Sequence, residues 1–171
     1  EWDSNLGHYN VGITAGVETD FSNPEWVEHC QKMSKIVVPS QHAKRALNFD
    51  SAIVIPEAFS PVIVENPNDL QDVIELKTKF NFLIFGQLKG NNPFNDRKNT
   101  FFTLKWLFET FKDDKDVGIV LKTNVGTNSL IDRNNVIDII NSVIKETRVG
   151  SFPRVYLLHG DMNDNGIASL Y

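Results

Sequence analysis

The apolar run Phe82-Leu83-Ile84-Phe85 ends in Gly86-Gln87, and ten residues after Gln87 come Arg97-Lys98-Asn99. Adjacent cations at the start of a helix supply the positive charge that a bound phosphate or diphosphate needs. Their effect grows as water is excluded. Gly86, lacking a side chain, would let a phosphate or sugar approach the backbone. The plainer alternatives are a turn glycine and a solvated helix start. Cations are mildly unfavourable at a helix amino terminus, which makes Arg97 and Lys98 less casual there. Neither G-x-G-x-x-G nor a Walker A motif occurs, so the common dinucleotide and P-loop fingerprints are absent.

Other residues bear on the same chemistry. Lys122 follows Val120-Leu121 at the carboxyl end of an expected strand, the edge where open α/β sheets bind ligands. A lysine that simply leaves the core is the commoner case. His159-Gly160-Asp161 follows another strand and either lines a pocket or makes a turn. Glu18 and Asp20 flank Thr19 in a loop; a carboxylate there would accept hydrogen bonds from sugar hydroxyls or cap the next helix. His8, His29, His42, His159 and Cys30 share no metal-like spacing, so no metal site is expected.

These residues need a frame of alternating strands and helices. Strands are expected at 10–15, 36–38, 52–55, 82–85, 117–121 and 155–158. Asn23-Pro24 and Ser40 read as helix starts. Longer helices are expected at 99–111, with Phe101, Leu104, Phe108 and Phe111 on one face, and at 134–146, with Val136, Ile140, Val143 and Ile144 inward. Another begins near Met162, capped by Asn163 or Asp164. Three prolines fall within 56–67 without clear periodicity, which reads as a linker, followed by a short helix near 69–77. The alternation predicts an α/β fold with Rossmann-like parallel sheets and flanking helices.

The bulk composition narrows the class. The chain has 171 residues, 41% hydrophobic and 23% charged, as in ordinary globular proteins. Its net charge of −5 and lack of a basic block argue against a general nucleic-acid binder. One cysteine permits no internal disulfide, which fits a reducing, cytoplasmic setting. No apolar run approaches the roughly 18–20 residues of a membrane span.

The order of several short motifs resembles group 1 (family 4) glycosyltransferases. They are Asn10-Val11-Gly12-Ile13-Thr14, Val17-Glu18-Thr19-Asp20, Pro24-Glu25-Trp26-Val27 and Val38-Pro39-Ser40, then Ile53-Val54-Ile55-Pro56. Phe82 to Gly86 with Arg97-Lys98-Asn99, Val120-Leu121-Lys122-Thr123 and Leu157-Leu158-His159-Gly160 continue the series. The resemblance implies a GT-B fold, a nucleotide-diphosphate-sugar donor, a carbohydrate or other acceptor, retention as the stereochemical outcome, and no metal or further cofactor. It implies that Lys98 contacts the donor diphosphate. Gly86, Gln87, Arg97, Lys122, Gly160 and Asp161 fall on the donor side and Glu18 on the acceptor or sugar side. The family usually carries arginine after the strand glycine; Gln87 can hydrogen-bond a phosphate without neutralising it. The implied layout is the end of an amino-terminal domain at 1–60, a linker at 61–78 and the start of a nucleotide-sugar-binding domain at 79–171. Such a stretch reads as the middle of an enzyme, inactive alone. Its incomplete sheets are expected to leave edges that favour homo-oligomers. A non-catalytic α/β ligand-binding or interaction module is the alternative.

Overall fold

The computed structural model describes residues 2–16, 20–61, 74–88, 92–96 and 98–171. Its elements are β1 (Val11–Ile13), α1 (Pro24–Gln31), β2 (Lys35–Val38), α2 (Gln41–Leu47), β3 (Ala52–Val54), β4 (Phe80–Phe85), α3 (Thr100–Thr110), β5 (Val117–Thr123), α4 (Leu130–Thr147), β6 (Arg154–His159) and α5 (Asp164–Ala168). A 3₁₀ turn, Pro93–Asn95, precedes α3. The chain divides into two compact units, Glu1–Phe59 and Ser60–Tyr171. Each unit holds a three-stranded parallel sheet flanked by helices, β1-β2-β3 in the first and β4-β5-β6 in the second. This is the α/β, Rossmann-like architecture that the alternation predicts.

In the first unit local chemistry sets the helix ends. Asn23 Oδ1 accepts the Glu25 N–H at 3.0 Å, and Pro24 occupies the first helical position, where no N–H is needed. Ser40 Oγ accepts the Ala43 N–H to start α2, and Asn48 ends that helix in the left-handed region with φ 49°. In sequential parallel strands, crossovers of the usual right hand put both helices on one face. Cys30, Met33, Ile36, Val38, Ala43, Leu47 and Ala52 form the core there. The other face carries exposed Val11, Ile13 and Ile53, with Ile13 and Ile53 both in register with Val37. Trp26 of α1 is 51% exposed.

The second unit repeats the arrangement with longer elements. Ile119 and Leu121 of β5 meet Leu104 and Phe108 of α3 and Val136, Ile140 and Val143 of α4 in one core. All seven residues of β5 are buried. This strand runs two residues further than expected, so Lys122 lies within it. α4 starts at Leu130, a full turn before the apolar period begins, because Ser129 Oγ accepts the Asp132 N–H while Leu130 and Ile131 stay exposed. The helix expected at 69–77 is absent from its described part, 74–77; residues 69–73 lie outside the described residues. There the Lys77 N–H is drawn to Tyr156 Oη at 2.9 Å, a tertiary bond that overrides local propensity. α5 is confined to five residues, with Asn163 Oδ1 accepting the Gly166 N–H.

Because the two cores share no residue, each should report on its own unit. Phe108→Ala removes a fully buried ring from the second core and should destabilise that unit by about 3–5 kcal/mol. Urea denaturation followed by hydrogen exchange should place the loss in residues 80–159 and leave 11–54 unchanged; equal loss in both would show that the units unfold together.

Candidate functional site

A cavity of about 480 Å³ opens at the carboxyl edge of the second sheet. Phe85, Gly86 and Gln87 reach it from the end of β4, and Lys122, Thr123 and Asn124 from the end of β5. Asn95, Asp96 and Lys98 line it from the segment ahead of α3, and Ile167 from α5. The strand register fixes this gathering. Phe85 pairs with Lys122, Lys122 with Leu158, and the Gly86 N–H continues the ladder to the Lys122 carbonyl at 3.1 Å. Gly86 is buried, and a methyl group there would run into the Thr100 side chain. Its lack of a side chain therefore seats the first turn of α3 against the strand, while Gly86 still lines the cavity.

The first turn of α3 is already engaged. Asp96 Oδ1 accepts the Lys98 N–H at 2.9 Å, and Asp96 Oδ2 accepts the Thr100 N–H at 2.7 Å. Burial pushes the Asp96 carboxyl up, but the N–H bonds from Thr100 and Lys98 outweigh it and hold the carboxyl below its ordinary value. Asn99, the last residue before α3, adopts φ 53° and makes no side-chain cap bond. The helix terminus thus has a carboxylate cap three residues upstream. Not every N–H at this end is free for an anion. Lys98 itself is exposed on the cavity wall.

Lys122 lies on the cavity floor and is only 3% exposed. Its Nζ donates to Asn124 Oδ1 and to the Gly160 carbonyl. Asn124 Nδ2 donates to Asp161 Oδ1 at 3.0 Å, so one amide spans the lysine and the carboxylate. Burial pushes the Lys122 ammonium below its ordinary pKa, and the nearby Asp161 charge restores part of it. Asp161 is tied back to the loop after β5: its N–H donates to Asn128 Oδ1 at 2.6 Å, and its Oδ2 accepts from Asn128 Nδ2. Gly160, at φ 100°, lies where a side chain would strike Asn128. His159 Nε2 meets the Val125 carbonyl at 2.9 Å, a second tie between the same loops.

The site residues read from the sequence thus divide. Gly86, Gln87, Lys98 and Lys122 line one cavity, and Gly160 and Asp161 join it through Lys122 and Asn124. Arg97 and Glu18 lie outside the described residues. Sequence reasoning missed Asp96, Thr123, Asn124 and Asn128. Asp96 had a readable signal, an acidic residue four before Thr100; the asparagines had none, because loop amides acquire roles only when loops meet. The first unit holds its own cavity of about 370 Å³ at the carboxyl edge of β1, lined by Trp2, Thr14, Glu25, Trp26 and His29 among others. Burial pushes the Cys30 thiol up there. Among the described residues no group of three or more His, Cys, Asp or Glu is placed to hold a metal ion. No described helix is long and apolar enough to cross a membrane. No protein-family model matches the chain, and no curated protein matches it in sequence.

The loop after β5 carries a pH signature. Asp132 Oδ2 accepts from the Thr127 hydroxyl (2.7 Å), the Thr127 N–H (2.8 Å) and the Ser129 hydroxyl (2.8 Å). These bonds lower its carboxyl from 3.8 to about 2. A depressed carboxyl stabilises the fold fully above its unfolded value and loses that contribution as pH falls through the folded value. Melting temperature should hold down to about pH 4 and then fall toward about pH 2. Asp132→Asn should melt lower at neutral pH, with the gap to wild type closing across that window. A gap that stays constant down to about pH 2 would contradict the assignment.

Proposed function

We propose that the second unit binds the diphosphate of a nucleotide-sugar, and that the chain serves a glycosyltransferase of the GT-B type that moves the sugar to a carbohydrate or other acceptor with retention. The observation that carries this reading is the convergence of Gly86, Gln87, Lys98 and Lys122 on one cavity at the carboxyl edge of β4 and β5. That edge is where doubly wound sheets take nucleotides. Lys98 supplies charge to the diphosphate from the exposed wall, with Arg97 beside it in sequence. Gln87 offers an amide donor, and the rate gain comes from orienting the donor and stabilising the departing diphosphate. Gly160 and Asp161 complete the donor side through their link to Lys122, and Glu18 serves the acceptor side. The nucleotide-sugar is a substrate; no cofactor or metal takes part. The setting is cytoplasmic, where such donors and a free thiol coexist.

Two features favour a second reading, a non-catalytic ligand-binding module. Gln87 is neutral where the family carries arginine, and Asp96 places a carboxylate on the cavity wall. Self-association is also part of the proposal, supported by the exposed sheet face of Val11, Ile13 and Ile53, since parallel sheets are ordinarily covered on both faces.

Calorimetric titration with nucleoside diphosphates should show binding, and Lys98→Ala should weaken it by about 1.5–3 kcal/mol, the worth of a charge-assisted hydrogen bond. Equal affinity in the two forms would remove Lys98 from the phosphate contact. In light scattering the chain should run as an oligomer, and Ile13→Lys with Ile53→Lys should return it to a monomer. A wild-type monomer over a wide concentration range would contradict the self-association.

A further inference from the structure

We infer that Lys122 is the decisive positive charge for an anion in the second unit's cavity, and that a diphosphate binds there only with Lys122 protonated. The inference rests on the donor-site reading and extends it, because it moves the main counter-charge from the helix start to the strand end.

The argument begins with unspent bonding capacity. An ammonium has three N–H donors. Lys122 places two on neutral acceptors, Asn124 Oδ1 and the Gly160 carbonyl. Among the described residues no carboxylate makes an ion pair with it. Asp161, the acidic group that bears on it electrostatically, has its oxygens taken by the Asn124 and Asn128 amides. A buried charge without a contacting counter-ion is costly. An anion entering from the adjoining cavity would relieve that cost. Beside it, Thr123 lines the same cavity and is 2% exposed, and its buried Oγ1 has no hydrogen-bond partner. Consecutive strand residues face opposite sides of the sheet, so it is the third N–H of Lys122 that the fold leaves unused for an anion on its own side.

Position then ranks the cations. Lys98 works in water, where a charge pair is strongly screened, whereas Lys122 works at low local dielectric. Gln87 adds no charge. Among the described residues, the charged and titratable groups around Lys122 are Asp96 and Lys98 ahead of α3, Asp161 after β6, and Tyr171, which stacks on Phe85, the register neighbour of Lys122. His159, in register with Thr123, turns its ring to the Val125 carbonyl. Burial lowers the free ammonium's pKa, so a bound anion, which favours the charged form, should draw a proton onto Lys122 in alkaline solution.

The test uses the full chain and uridine diphosphate as the probe. Binding heats measured across the alkaline range in two buffers of different ionisation enthalpy should report net proton uptake that shrinks toward neutral pH. Lys122→Met should weaken binding at least about tenfold and by more than Lys98→Ala does, and should lose the uptake. Lys98→Ala should weaken binding yet keep the uptake. A lysine that only ties the Gly160 loop would alter melting temperature and leave the proton count unchanged. Affinity of Lys122→Met within about twofold of wild type would overturn the inference, and a loss in Lys98→Ala alone would still leave the donor-site reading standing. If Lys122→Met does not fold, the wild-type proton count decides alone, with zero uptake throughout the alkaline range overturning the inference. Failure of the wild-type chain to bind the probe would overturn the donor-site reading and this inference together.

Discussion

A central parallel strand has both backbone edges paired and both faces under cover, and β5 keeps that condition through its last residue. Apolar side chains meet it without cost over Val117–Leu121. Lys122 and Thr123 do not. The burial of Lys122 forces the neighbouring loops to supply polar partners: Asn124 from the loop after β5 and the Gly160 carbonyl from the loop after β6. Asp161 and Asn128 then lock those loops to each other. The polar edge of the cavity is therefore organised around a charge held at the end of a hydrophobic strand. Were the lysine two residues further on, at the exposed position of Asn124, it would reach water and the loops would need no such ties.

The same sheet explains how distant residues come together. β4 and β5 lie side by side in register, so Gly86 and Lys122 become neighbours across the ladder despite their separation in sequence. Gly86 allows Thr100 to pack against the strand end, which brings the start of α3 over the same edge. Asp96 then fixes the turn that presents Lys98. Each contact is structural, and together they leave a polar-floored cavity between cations from two elements.

Much of this frame is legible in the sequence, because buried strands and amphipathic helices declare themselves through periodicity. The runs at Ile36, Phe82, Val117 and Val155 could hardly be read otherwise, and Asn23-Pro24 and Ser40 announce their helices through capping chemistry. Elements set by tertiary or non-periodic contacts were less readable. The first turn of α4 is held by Ser129 and Asp132 beneath exposed Leu130 and Ile131, so hydrophobic spacing hides it. Residues 74–77 look helical but are drawn off by Tyr156. In the site, the glycine and the cations stood out by type. The carboxylate that caps α3 and the asparagines that join the loops gained meaning only from the fold. The packing role of Gly86 was hidden for a related reason: a missing side chain does not say which neighbour fills its place.

The central claim is that the carboxyl edge of the second sheet is an anion site. Backbone amide chemical shifts recorded while uridine diphosphate is added test it most directly, because they locate binding residue by residue in the unmodified chain. The account predicts saturable shifts concentrated at Gly86, Gln87, Lys98 and 122–124, with smaller changes at Gly160 and Asp161 transmitted through Asn124. Shifts confined to the first unit, or none on the edge of β4 and β5, would contradict it.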